Sequence, residues 1–149
     1  MRQRNRLGWD LIVTAAIVLS LSSCARTTAT PGGKSLYVRL GGTTMIASVV
    51  DEFVTNVAVD NRINGRFATA DLARLREHLL DQFCMMTGGP CVYKGRDMKS
   101  THAGMKITGL EFDALVEDLV RALDRFKVPA REKGELLHLL GPMKREIVE

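Results

Sequence analysis

From residue 35 onward every strong apolar period in this chain is helical, and that confines it to an all-α fold. Ile46, Val49, Val50, Phe53 and Val57 share one helical face, and Gly41-Gly42 breaks the chain just ahead of them. Thr43 or Thr44 is placed to cap that helix. Leu72, Leu75, Leu79, Phe83 and Met86 form a second stripe, from about Asp71 to Thr87, and Gly88-Gly89-Pro90 ends it. Asp60–Phe67 reads as a polar connection or a single helical turn, Cys91–Gly95 as loop and Asp97–Ala103 as a short helix. Thr108-Gly109-Leu110-Glu111 has the form of a capping box, opening a helix that buries Phe112, Leu115, Val116, Leu119, Val120, Leu123 and Phe126. Pro129 suits a first helical position, Leu136, Leu137, Leu140, Met143 and Ile147 supply the last apolar face, and Gly141-Pro142 should kink it. No strand pair or internal repeat is evident. The expectation is one domain over residues 35–149, with four main helices and several short pieces.

The start of the chain has a different character. Met1–Arg6 is basic, Leu11–Leu21 is almost wholly apolar, and small residues lead to Cys24. That is the layout of a secretory signal, and the run is short for a membrane span. Leu21-Ser22-Ser23-Cys24 resembles a bacterial lipobox, which implies a signal peptide over 1–23 and an acylated Cys24. An ordinary signal or an uncleaved amphipathic anchor stays open. Residues 24–34 then read as a tether, because Thr, Pro and Gly recur there without apolar periodicity. The implied location is the bacterial cell envelope, lipid-anchored and facing the periplasm or the exterior. Ala25 after the cysteine favours the outer membrane, again by resemblance.

Net charge is +4, and three of the cations, Arg2, Arg4 and Arg6, belong to this leader. No basic stripe with interleaved aromatics occurs, so nucleic acid is not an expected partner. Cys84 and Cys91 flank Gly88-Gly89-Pro90. In an oxidising compartment they can close a small loop, and otherwise they are two free thiols.

Helical stripes alone say only that the domain is small and helical. The order of the motifs says more. Leu36-Tyr37-Val38-Arg39-Leu40-Gly41-Gly42 precedes the first long helix and Phe67-Ala68 follows it. Gly88-Gly89-Pro90 closes the next, and Tyr93-Lys94-Gly95-Arg96-Asp97-Met98-Lys99 comes after. His102-Ala103-Gly104 stands ahead of the capped helix. This order and spacing resembles the group I truncated haemoglobins over roughly Ser35 to Glu149. The resemblance implies a two-over-two helical sandwich around haem b. Paired glycines would let short connections turn tightly, since glycine reaches positive φ without steric cost.

The resemblance also implies roles. Haem iron takes a neutral imidazole nitrogen, and of His78, His102 and His138 it is His102 that matches the family's proximal ligand. Phe67 matches the phenylalanine that stacks on haem, and Phe53 a pocket phenylalanine. Leu75, Leu79, Phe83, Met98, Met105, Phe112, Leu115, Val116 and Leu119 are further pocket candidates by helix face. Tyr93, Arg96 and Lys99 are candidates to reach haem propionates, with solvent the plainer reading for Lys99. Relatives commonly place a tyrosine and a glutamine on the distal side, where this chain has Val54, Leu75 and Leu79. None of these donates a hydrogen bond, and a polarised ligand loses on the order of 1–3 kcal/mol per missing donor. His78 either ligates the iron opposite His102 or sits at the haem edge against a propionate. His138 reads as a partly exposed structural residue.

The function implied is reversible binding of oxygen, nitric oxide or carbon monoxide. Nitric-oxide dioxygenation or weak peroxidase chemistry is an alternative, and its reductase would be a separate partner, since no flavin or nicotinamide fingerprint is present. Electron transfer or redox sensing is another, favoured if His78 ligates and Cys84–Cys91 switches. Loss of haem altogether sits poorly with retention of His102, Phe67 and Phe53.

Overall fold

The computed structural model describes residues 33–149; the leader, most of the tether and Cys24 lie outside the described residues. Seven α-helices follow in order: α1 (Leu36–Arg39), α2 (Gly42–Val59), α3 (Leu72–Met86), α4 (Met98–His102), α5 (Gly109–Arg125), α6 (Ala130–Leu140) and α7 (Lys144–Ile147). Single 3-10 turns occupy Asn64–Phe67 and Gly141–Met143. An isolated bridge joins Ile107 to Val148 and is the only β pairing among the described residues.

The long helix α2 packs against both α3 and α5 and carries the centre of the core. Its Val49, Val50, Phe53 and Val57 are buried, as the apolar period requires. Leu119 and Leu123 of α5 and Leu136 of α6 complete that core. Ala114 and Ala122 of α5 are almost fully enclosed. Asp118 lies between them in sequence and is also completely buried, 0% exposed, with Arg121 paired to one of its oxygens. Its main-chain carbonyl accepts from Asn56 Nδ2 at 3.1 Å, so the residue helps join α5 to α2. Its other carboxylate oxygen, Oδ2, has no hydrogen-bond partner among the described residues.

The start of α2 differs from expectation. Neither Thr43 nor Thr44 caps it; Gly41 holds the N-cap position with φ +98°, followed by Gly42 at +70°. An L side chain is strained at such angles. The Tyr37 hydroxyl replaces the missing cap: it accepts from Thr43 N at 3.1 Å and lies 2.6 Å from Thr43 Oγ1. Pro129 likewise stands one residue earlier than expected, as the N-cap of α6. Val120 and Phe126 are half-buried rather than core.

The capping box of α5 is complete. Glu111 N donates to Thr108 Oγ1 at 3.2 Å, and the Glu111 carboxylate accepts from Thr108 N at 2.8 Å. Arg66 from the 3-10 turn adds a 2.7 Å bond to the same carboxylate and, with the Thr108 donors, holds Glu111 down to about 2 from the ordinary value of 4.5. A carboxyl whose folded value is depressed stabilises the fold above its unfolded value and loses that contribution as pH falls towards the folded one. Glu111→Gln should therefore be less stable than the parent at neutral pH, and the gap should close between about pH 4.5 and 2. Urea unfolding followed by far-UV circular dichroism across that range checks this; a gap independent of pH contradicts it.

Candidate functional site

A cavity of about 680 Å³ lies among α2, α3, α4, α5 and the C-terminal segment from α6 to α7. Phe53 and Val54 reach it from α2, and Phe67 from the 3-10 turn. The α3 wall presents Leu75, His78, Leu79 and Phe83. Met98 and His102 of α4 line it as well, with Phe112, Leu115, Val116 and Leu119 of α5. Tyr93 lines the cavity from the connecting loop. Phe53, Phe67, Leu75, His78, Leu79, Tyr93, Met98, His102 and Phe112, all expected to contact haem, thus meet around one space. Its size suits a bound organic group, and its lining is mostly apolar with a few placed polar atoms.

His102 carries the clearest chemistry. Its Nδ1 lies 2.8 Å from the Met98 carbonyl oxygen, one helical turn earlier. A carbonyl only accepts, so in the neutral ring Nδ1 bears the proton and Nε2 keeps its lone pair. An imidazole held in this tautomer is a metal ligand whose orientation is already set.

The short helix bearing it is held from several sides. Asp97 caps α4 by accepting from Ser100 N at 2.8 Å, and α7 packs against it. Beyond His102 the chain turns through Gly104, and the Glu149 carboxylate accepts from Gly104 N and Lys106 N at 2.7 and 2.8 Å. These two amides hold Glu149 below the usual carboxylate range. Cys84 and Cys91 form a disulfide, Cα–Cα 5.7 Å, joining the end of α3 to the loop that leads to Tyr93 and α4.

Tyr93 and His78 meet edge to face, with ring centroids 5.9 Å apart. The Tyr93 hydroxyl donates to the Arg96 carbonyl at 3.0 Å, so its ring folds back across Gly95. Burial raises the pKa of that hydroxyl, and Asp97 nearby adds to the rise.

Some expectations need correction. Met105 is exposed and outside the cavity, because the turn at Gly104 carries the chain away from His102 and Arg66 takes the Met105 carbonyl at 2.8 Å. Arg96 faces solvent and does not line the cavity, whereas Lys99 faces solvent as its plainer reading has it. His138 is exposed. The structure also brings in residues that periodicity did not single out. Lys144 lines the cavity, pairs with Asp113 at 2.5 Å and places its Nζ 5.4 Å from the centre of the Phe112 ring. Gln82 lines it too, although it is buried. No local signal marks Lys144: the turn at Gly141–Met143 brings it back to the site.

The family model for the bacterial-like globins matches residues 35–149. The chain belongs to that family. The group 1 truncated hemoglobin of Synechocystis sp. is 37% identical to this globin over 72% of the chain and 90% of the relative. That of Mycolicibacterium paratuberculosis is 33% identical over 76% and 83%. Among solved structures, the truncated hemoglobin of Tetrahymena pyriformis in its Fe(III) form superposes with a TM-score of 0.74 at 28% identity, covering 77% of this globin and 98% of that chain. The 2/2 hemoglobin of Synechococcus sp., solved in the cyanomet state with covalently attached heme, gives 0.73 at 28% identity over the same shares. The all-α, two-over-two sandwich expected from the sequence is the fold, and haem is the family's cofactor.

The residues of this globin fit that cofactor: an apolar slot, one imidazole in the metal-binding tautomer, and aromatic rings along the walls. Gly95 tests how the mouth is kept. A Cβ there would come 2.2 Å from the Tyr93 hydroxyl oxygen and 2.3 Å from Cζ. The ring must swing away and give up its bond to the Arg96 carbonyl, so Gly95→Ala should cost about 1 kcal/mol of stability. Displacing Tyr93 from the mouth should speed haem transfer to an acceptor apoprotein severalfold. Transfer at the parent rate would show that Tyr93 does not guard the cavity.

Proposed function

We propose that this globin holds haem b through His102 and reversibly binds oxygen, nitric oxide or carbon monoxide on the other side of the ring. The observation that carries the reading is the His102 imidazole, with Nδ1 committed to the Met98 carbonyl and Nε2 left basic beside an apolar cavity. When bound, haem supplies an iron centre that takes one diatomic molecule at a time. The chain's own residues then exclude water, cover the porphyrin faces with Phe53, Phe67 and Phe112, and fix the ring nitrogen. Burial of those apolar faces contributes about 25 cal/mol per Å².

Val54, Leu75 and Leu79 line the cavity and carry no donor. This favours simple reversible binding over nitric-oxide dioxygenation, which needs oxygen held until nitric oxide arrives. If an electron is required, a separate protein must deliver it. The basic, apolar and small-residue order of residues 1–23 supports lipid anchoring through Cys24 at a bacterial membrane surface, outer membrane favoured.

The test of the main reading is His102→Gly. The purified parent, reconstituted with haem, should show a Soret band. The variant should bind haem far more weakly and regain affinity and colour when free imidazole is added. A variant with unaltered spectrum and affinity overturns the assignment.

A second reading concerns the sixth position of the iron. His78 and His102 line the same cavity from different helices, α3 and α4. His78 ligating opposite His102 would suit electron transfer or redox sensing. His78→Ala should then convert a low-spin ferric spectrum to high spin. An unchanged ferric spectrum leaves His78 at the haem edge beside Tyr93.

A further inference from the structure

Residues 90–96 connect α3 to the helix that carries His102, and among the described residues they have little polar attachment to the fold. Pro90 has no N–H to donate, and no main-chain amide or carbonyl from Pro90 to Arg96 bonds to another main-chain group. The hydrogen bond that the stretch does make, from the Tyr93 hydroxyl to the Arg96 carbonyl, lies within it. The residues just before are tied down: Thr87 Oγ1 donates to the Phe83 carbonyl at 2.7 Å and Gly89 N to the Cys84 carbonyl at 2.8 Å. Beyond Gly89, what joins the stretch to α3 is the Cys84–Cys91 bond and the edge contact of Tyr93 with His78. The two sulfurs differ in access. Cys84 is 2% exposed, and a Cβ on Gly89 would lie 2.6 Å from its Sγ, so the chain passes close over it. Cys91 is half-buried and its neighbour Val92 is exposed. Thiol–disulfide exchange requires access to the sulfur attacked, and Cys91 offers it.

We propose that Cys84–Cys91 is a redox modification site of this globin: a dithiol reduces it, and reduction releases residues 90–96, so that Tyr93 leaves the mouth of the cavity and haem exchanges faster. This rests on the haem reading above. The incoming thiolate bonds to Cys91 Sγ, and the S–S electron pair leaves on Cys84 Sγ, which takes a proton. The second thiol of the reductant, as thiolate, then displaces Cys91 Sγ, which is protonated in turn. The dithiol ends as a disulfide, and its two electrons and two protons end on the cysteines. Burial keeps Cys84 a neutral thiol, so Cys91 is the thiol that stays reactive.

The experiment treats the haem-reconstituted full chain with dithiothreitol and follows each cysteine by alkylation and peptide mass. Cys91 should be alkylated ahead of Cys84, and haem transfer to an acceptor apoprotein should speed about fivefold or more. The Cys84→Ser/Cys91→Ser variant should transfer haem at that faster rate with or without dithiothreitol, which separates the effect from any action of the reagent on iron. Far-UV circular dichroism should not change on reduction, since the core around Val50 and Leu123 does not include the bond. In the haem-free chain, trypsin should cut after Lys94 and Arg96 faster once the bond is reduced. A disulfide that resists dithiothreitol in the folded protein overturns the proposal. So does a reduced protein that transfers haem at the parent rate, or one that loses its helical signal together with its haem. Absence of a Soret band in the parent overturns the haem reading and the exchange step with it, while the trypsin rates still decide whether the bond holds the segment.

Discussion

The bond from His102 Nδ1 to the Met98 carbonyl is the interaction on which the site depends. It does two things that no apolar contact can do. It selects the tautomer whose Nε2 keeps its lone pair, and it fixes the orientation of the ring. It is also local, made within one turn of a five-residue helix. A helix of that length has little stability of its own. Its position must come from outside, and the structure supplies several constraints at once: the Asp97 cap, packing of α7, the Glu149 clamp on the following turn and the disulfide upstream. The fold economises on helix at this point and makes up the loss with polar clamps.

What could be read from the sequence divides along the same line. Features set by neighbours three or four residues apart were legible. The stripe of α2, the stripe and stop of α3, the capping box of α5 and the break at Gly141-Pro142 all follow from local spacing. The motif order from Leu36 to Gly104, with the stripe of α5, pointed to most of the residues that meet at the cavity, though Met105 and Arg96 fall outside it. Features set by contacts across the chain were not legible. Nothing near Thr43 announces that Tyr37 will cap its amide, and nothing near Lys144 announces its return to Phe112. Asp118 looks like one of the acids of a solvated helix face, yet it sits wholly buried against α2. Gln82 has the same character: a polar residue in a helical stripe is ordinarily read as surface, and only the third dimension shows that its turn of α3 faces inward.

Among the described residues, most of the fold's ion pairs lie away from the cavity, whose one charged pair is Lys144 with Asp113. Arg39, Arg62, Arg66 and Arg76 all carry carboxylate partners, and each pair joins separate pieces of chain at the outside. Arg39 reaches from α1 to Glu132 and Glu135 of α6, while Arg76 ties α3 to Asp51 of α2. Exposed pairs of this kind contribute about 0–1 kcal/mol each. They are better understood as choosing the register of the pieces than as holding the fold, whose stability comes from the core around Val50, Leu123 and Leu136. Because these arginine pairs stay outside, and Lys144 is taken up by Asp113, the few other polar groups that line the cavity have few competitors. A single imidazole then has more influence on a bound ligand than it would in a wetter pocket.

The disulfide links this electrostatic economy to the mechanics of the site. Cys84 follows Gln82 and Phe83 on the α3 wall, and Cys91 precedes Tyr93 at the mouth. The bond therefore joins two parts of the cavity wall, helix α3 and the loop that leads to α4 and His102. A seven-residue separation closes a small loop, for which chain entropy alone gives on the order of 2 kcal/mol. That figure is modest against the whole fold. Its effect is concentrated, though, because the segment it restrains has no long helix of its own between Met86 and Gly109. With α4 only five residues long, covalent restraint of the preceding loop adds to what little packing so short a helix has. The spacing between Leu79 of α3 and His102 of α4 is then held by chain connectivity as much as by the core.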